Sequence, residues 1–120
     1  MNTDQNSQDL KKRTRAFAIQ IIRMYSSLPK TTEAQVLGKQ LLRAGTSVGA
    51  QYAEAQRAKS NKDFVTKIEG SLQELEEVLY WLDLLIEINP SSSETLAAVQ
   101  KETNELLAIF VTIVKRVKSR

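Results

Sequence analysis

Apolar residues recur at intervals of three and four in four blocks along the chain. The first block runs from about Leu10 to Leu28 through Phe17, Ile21 and Met24. "LPKTT" closes it, because Pro29 cannot continue a helix. The second runs from about Glu33 to Ala58, with Thr32 and Gln35 at capping-box spacing ahead of it. The third spans 61–88 and carries Phe64, Ile68, Leu72, Leu75, Leu79, Leu82 and Ile86 on one stripe, entered through Ser60 and Asp63. The fourth spans about 92–118 and carries Leu96, Val99, Thr103, Leu106, Phe110, Ile113 and Val117. Ser91 and Glu94 repeat the capping-box spacing before it. Two prolines and four glycines leave too few turns for an all-β chain. The pattern predicts one all-α domain over 10–120, preceded by a polar, disordered tail over 1–9. Short connections between long helices make successive helices antiparallel, which predicts an up-down-up-down four-helix bundle.

One stretch strains that pattern. In "QLLRAGTSVGAQYAEAQRAKS" (40–60), glycines and β-branched residues stand in the middle of a helical repeat. Each interior glycine costs a helix about 1 kcal/mol against alanine. Gly45, Gly49 and Ala53 lie four apart and share a face. A bare strip of this kind lets a neighbouring helix pack close, and the tighter packing offsets the cost. A kink, or close approach of a nucleic acid to the backbone, are the other readings.

Composition narrows the chemistry. The 120 residues contain no cysteine and no histidine. This removes thiol nucleophiles, disulfides and the commonest general base and metal ligand. The di-metal sites of four-helix bundles need Glu-x-x-His pairs and cannot be assembled here. The acids of the third helix fall mostly off its apolar stripe, so a catalytic carboxylate pair is not indicated. We expect a protein that is not an enzyme and holds no cofactor or metal. The start, "MNTDQNSQDL", has no signal-peptide core, and "LLAIFVTIV" (106–114) is far short of the ~20 residues that span a bilayer. A soluble, cytoplasmic protein with no membrane partner is expected.

Charge is more informative in its placement than in its total. The net charge is +3, yet residues 61–88 hold seven acids against two lysines, a net −5, which leaves +8 for the remainder. In an up-down-up-down bundle, the start of helix one, the end of two, the start of three and the end of four share one pole. Lys11, Lys12, Arg13, Arg15, Arg57, Lys59, Lys62, Lys115, Arg116, Lys118 and Arg120 fall there, eleven of the seventeen basic residues. Cations at helix C-termini suit the macrodipole and need no further reason, whereas those near the starts of helices one and three oppose it. Lys11, Lys12, Arg13, Arg15, Lys59, Lys62, Lys118 and Arg120 are therefore candidate contacts to nucleic-acid phosphates. No surface aromatic series accompanies them, so recognition would be of the backbone, with little sequence preference. Solubility, or an acidic protein partner, are the competing explanations of the pole.

Within the acidic helix, "EEVLYWLDLL" places Tyr80 and Trp81 side by side, and both cannot point inward with Leu79 and Leu82. Glu76, Tyr80, Trp81 and Asp83 are candidates for a contact between subunits, where amphipathic rings are enriched. A lateral core position that closes the bundle is the alternative.

The run "LPKTTEAQVLGKQLLRAGTSVGAQYAEAQRAKSNKDFVTKI", followed by "QELEEVLYWLDLL" and "NELLAIFVTIVK", resembles the four helix bundle protein family, also called the 23S rRNA intervening sequence protein family. The resemblance covers about residues 10–116. The glycine–serine segment and the "RAKS-x-x-DF" junction are its most specific parts, and Gln51 stands where the family usually has asparagine. It implies an antiparallel four-helix bundle that assembles as a homopentamer. It also relates the chain to the accessory variability determinant of diversity-generating retroelements, which works beside a reverse transcriptase and contacts nucleic acid through a basic surface. The combined expectation is a non-enzymatic homo-oligomer that binds nucleic acid, RNA ahead of DNA. A scaffold for a protein partner, such as a reverse transcriptase or a ribosome-associated factor, is the alternative.

Overall fold

The computed structural model describes residues 3–120, with side chains from Asp9 onward. Four α-helices account for nearly all of it: α1 (Thr3–Ser27), α2 (Thr32–Ala55), α3 (Asn61–Ile88) and α4 (Ser93–Lys118), with a 3-10 turn at Pro90–Ser92 before α4. No strand occurs among the described residues.

The limits of α3 coincide with those read from its pattern, and the other helices differ at their ends for local reasons. The expected tail over 1–9 falls in part on Met1 and Asn2, which lie outside the described residues. From Thr3 the backbone is already helical, well before Leu10. The intervening "TDQNSQD" holds neither proline nor glycine to stop it. At the start of α2 the cap is Thr31 rather than Thr32, its side chain accepting from the Ala34 N–H at 3.3 Å. Gln35 does not reach back to the cap. It donates to the Pro29 carbonyl at 2.9 Å and accepts from the Tyr25 hydroxyl at 2.9 Å, which ties the end of α1 to the start of α2.

Helix α2 ends at Ala55, not Ala58. The amides of Arg57 and Ala58 bond to the carbonyls of Glu54 and Ala55, tightening the chain before it reverses. Ser60 then caps α3, accepting from the Asp63 N–H at 3.0 Å. No capping box forms at Ser91 because the 3-10 turn takes up that residue; Ser92 stands at the α4 N-cap without a side-chain bond.

The inward stripes meet in a single core that includes Phe17, Ile21, Leu41, Val48, Ile68, Leu75, Leu82, Leu96, Leu106 and Phe110, all fully buried. Tyr52 packs obliquely on Phe110 with ring centroids 5.8 Å apart. Close approaches join α1 to α2, α2 to α3 and α3 to α4. The α1–α4 seam is the sparsest, and the backbones of the diagonal pairs stay apart, so that α2 and α4 meet through side chains such as Tyr52 and Phe110. The result is a helical bundle 47 Å long and about 20 Å across.

Along the α1–α2 contact, higher residue numbers on α2 face lower numbers on α1. Gly38 faces Leu28 and Tyr25, Gly45 faces Ile21, and Gly49 faces Thr14. The glycines of α2 are thus notches for α1. A Cβ on Gly45 would lie 2.8 Å from Ile21 Cγ1, and one on Gly38 only 2.7 Å from Leu28 Cδ1. Helix α2 runs unbroken through them, with no positive-φ residue, so they do not end the helix.

Ala53 is not part of this strip, contrary to the four-residue spacing, and is exposed. Each four-residue step overshoots a turn by about 40°, so two steps from Gly45 carry Ala53 about 80° away from α1. Seven residues fall only about 20° short of two turns, which keeps Gly38 on the contact line.

Candidate nucleic-acid interface

The eight basic candidates do not form one patch. Arg13, on the α1–α4 seam, donates through Nε to Glu102 Oε2 at 2.8 Å and through Nη2 to Glu102 Oε1 at 2.9 Å and Glu105 Oε1 at 2.7 Å. The bonds to Glu102, outweighing a small cost of burial and helped by Glu105, raise the Arg13 pKa above its already high ordinary value. This guanidinium is committed to holding α1 against α4. Lys118 is likewise engaged, with Nζ 3.2 Å from Glu69 Oε2 on α3.

Lys11, Lys12, Arg15, Lys59, Lys62 and Arg120 are exposed and make no ion pair among the described residues. Because α1 begins at Thr3, Lys11 to Arg15 stand beyond its first turn. The opposition to the macrodipole expected of them is therefore largely absent, since that effect fades within a turn. It persists for Lys62, next to the first residue of α3.

Lys12 and Arg15 project along a groove of about 600 Å³ between α1 and α4. Arg23 lines the same groove, together with Ala16, Ile19 and Gln20 of α1 and Thr95, Ala98 and Val99 of α4. No carboxylate is among the described lining residues. Arg23 is absent from the expected set, because sorting cations by helix ends assigns it to the other pole. A helical projection finds it: eleven residues from Lys12 make three turns to within about 20°. Lys59 and Arg120, with the ion-paired Arg13, border a separate cavity at the end of the bundle. Lys11, Lys62 and Lys118 border neither.

On α3, Glu76, Tyr80 and Asp83 lie exposed on one outward stripe, and Tyr80 keeps 59% of its surface accessible. Trp81 turns inward against the core, edge-on to Tyr80 at 5.1 Å. Its Nε1 is buried and has no hydrogen-bond partner within the described chain. Glu74 departs from the expectation that the acids face solvent. It is 9% exposed and accepts from Arg43 Nη1 at 3.4 Å, while Arg43 Nη2 also binds Glu77. Among the described residues no group of three or more acidic side chains is placed to hold a metal ion, and no helix is long and apolar enough to cross a membrane.

These features define a small all-α helical bundle with a cation-lined seam. The family model of the 23S rRNA-intervening sequence protein matches residues 6–112. The chain belongs to that family. It is also similar to a crystal structure, at 1.70 Å, of a protein with unknown function from the S23 ribosomal protein family of Bacteroides thetaiotaomicron VPI-5482. The two share 34% sequence identity with a TM-score of 0.81, over 88% of this chain and 97% of that one. None of the curated proteins matches the sequence.

Proposed function

We propose that this protein is a non-enzymatic nucleic-acid-binding component that holds phosphates along the α1–α4 groove. The observation that carries this reading is the set Lys12, Arg15 and Arg23, three unpaired exposed cations on a groove whose described lining contains no carboxylate. A polyanion replaces counterions there without first breaking an ion pair. Lys11 lies beside this track and adds to it, and Lys59, Lys62 and Arg120 extend positive charge around the pole. Arg13 and Lys118 drop out of the phosphate-binding set because carboxylates occupy them. The small side chains of Ala16 and Ala98 leave room for a backbone to lie in the seam. With no aromatic platform in the groove, binding follows charge and shape more than base identity.

The family relationship supports an up-down-up-down arrangement of the helices and assembly as a homopentamer. Copies of one chain would present several grooves to a single strand, which raises avidity without any new interaction within a groove. RNA is favoured over DNA on the family's association with rRNA genes.

Fluorescence anisotropy with a single-stranded uridine oligonucleotide tests the proposal. Lys12→Gln/Arg15→Gln/Arg23→Gln should weaken binding at least about tenfold at low salt. The slope of log affinity against log salt should fall by roughly 0.7 for each phosphate that is no longer neutralised. If the triple variant binds like the parent with the same slope, the groove is not the site, and a protein partner becomes the better reading.

A further inference from the structure

Where α2 and α4 finish and α3 begins, the bundle is open. A cavity of about 820 Å³ lies between these ends and Leu10 of α1, within the roughly 300–1,000 Å³ typical of small-molecule sites. Its floor is apolar: Phe64 from α3 with Ile109, Ile113 and Val117 from α4, each half-buried against the core or beside it. Its rim is cationic. Lys59 and Arg116 border it, both exposed and neither paired with a carboxylate among the described residues. Arg13 reaches the same cavity but is neutralised by Glu102 and Glu105. The one carboxylate side chain among the described lining is Asp9.

We propose that this end cavity binds a long-chain carboxylate taken as a monomer from solution, its hydrocarbon on Phe64, Ile109, Ile113 and Val117 and its head group between Lys59 and Arg116. The two halves of the site exclude simpler occupants. Inorganic phosphate would satisfy the cations and leave the apolar floor wet, and an uncharged hydrocarbon would forfeit the rim. A nucleic-acid backbone is too polar for the floor, and the three cations that carry the phosphate reading, Lys12, Arg15 and Arg23, line a different groove. Burial of chain methylenes supplies the affinity. The cations supply the sign preference, because charge-assisted hydrogen bonds discriminate strongly at an apolar boundary.

Calorimetric titration of the full chain with dodecanoate, below its micelle-forming concentration, tests this. We expect saturable binding of one dodecanoate per chain and binding of dodecyltrimethylammonium at least about tenfold weaker. Lys59→Gln/Arg116→Gln should weaken dodecanoate binding about tenfold, and Ala58→Phe, at the cavity wall, should abolish it while circular dichroism stays helical. The groove variant Lys12→Gln/Arg15→Gln/Arg23→Gln should bind dodecanoate like the parent, so this outcome stands apart from the nucleic-acid reading. Equal binding of the cationic amphiphile would overturn the proposal, as would undiminished binding by the double or the Ala58→Phe variant. So would association with anionic phospholipid vesicles without uptake of free dodecanoate, or no saturable binding because a second copy closes the cavity.

Discussion

Gly49 and Thr14 stand face to face where α1 meets α2, close enough that a Cβ on the glycine would lie 3.1 Å from Thr14 Oγ1 and 3.2 Å from Thr14 Cβ. Thr14 is itself buried, its hydroxyl donating to the Lys11 carbonyl at 3.1 Å. Alanine at 49 asks Thr14 to yield by a few tenths of an ångström and returns about 1 kcal/mol of helix propensity. Gly49→Ala is therefore expected to be nearly neutral in urea unfolding. Gly49→Leu extends the side chain into α1 and should cost about 1–3 kcal/mol through overpacking. Gly45→Ala should be worse than Gly49→Ala, because its Cβ meets three atoms of the fully buried Ile21 at 2.8–3.1 Å. A higher melting temperature for Gly49→Leu would show that α1 does not close on this strip.

Arg13 separates a structural role from a binding role. Its fork to Glu102 and Glu105 crosses the sparsest seam of the bundle, with side-chain exposures of 36% for Arg13 and 24% for Glu102. Solvent screening limits such a pair to about 0.5–1 kcal/mol. Arg13→Gln should lose about that much stability and leave oligonucleotide affinity unchanged. A double-mutant cycle with Glu102→Gln should return the loss as coupling energy. A tenfold drop in affinity for Arg13→Gln at unchanged stability would place this arginine on phosphate instead.

Much of the fold is legible in the periodicity, and the failures share a cause. The limits of α3 are readable because Ser60 caps its start and Asn89–Pro90 stops it, both local signals. The start of α1 carries no such signal. Gly45 and Gly49 announce a close approach, but their spacing points to exposed Ala53 and away from buried Gly38, since a four-residue rule drifts around the helix. Charge counting places Arg13 in a basic pole without its acids, because Glu102 is 89 residues away and meets it only through the fold. Arg23 escapes for a related reason: the α1–α4 groove belongs to two helices distant in sequence, and no pattern within one helix displays it.

Glu74 is the most buried carboxylate on α3, its side chain 12% exposed and facing Arg43 on α2. Arg43→Met removes the cation and leaves that charge poorly solvated. We expect a loss of about 1–3 kcal/mol. Glu74→Gln/Arg43→Met should recover most of it, because the amide carries no charge to strand. Chemical denaturation of the two variants checks the order, and equal stability would mean that water reaches Glu74 freely.

Tyr80 tests assembly. Its ring is 59% exposed in the single chain, and beside it the Trp81 indole N–H is buried without a partner in the described chain. An exposed tyrosine between Glu76 and Asp83 on the outward stripe of α3 is well suited to a neighbouring subunit. The parent should scatter light as a particle near five times 13.5 kDa. Tyr80→Glu adds another negative charge to an already acidic stripe and should shift the particle toward the monomer. Within the chain it forfeits only the edge-on packing against Trp81, about 0.5–1.5 kcal/mol. Helical content should therefore survive. Tyr80→Phe keeps the ring and should assemble like the parent. If Tyr80→Glu keeps the parent's mass, this side of α3 faces solvent and assembly uses another surface. If the parent itself runs as a monomer at micromolar concentration, the pentamer is excluded.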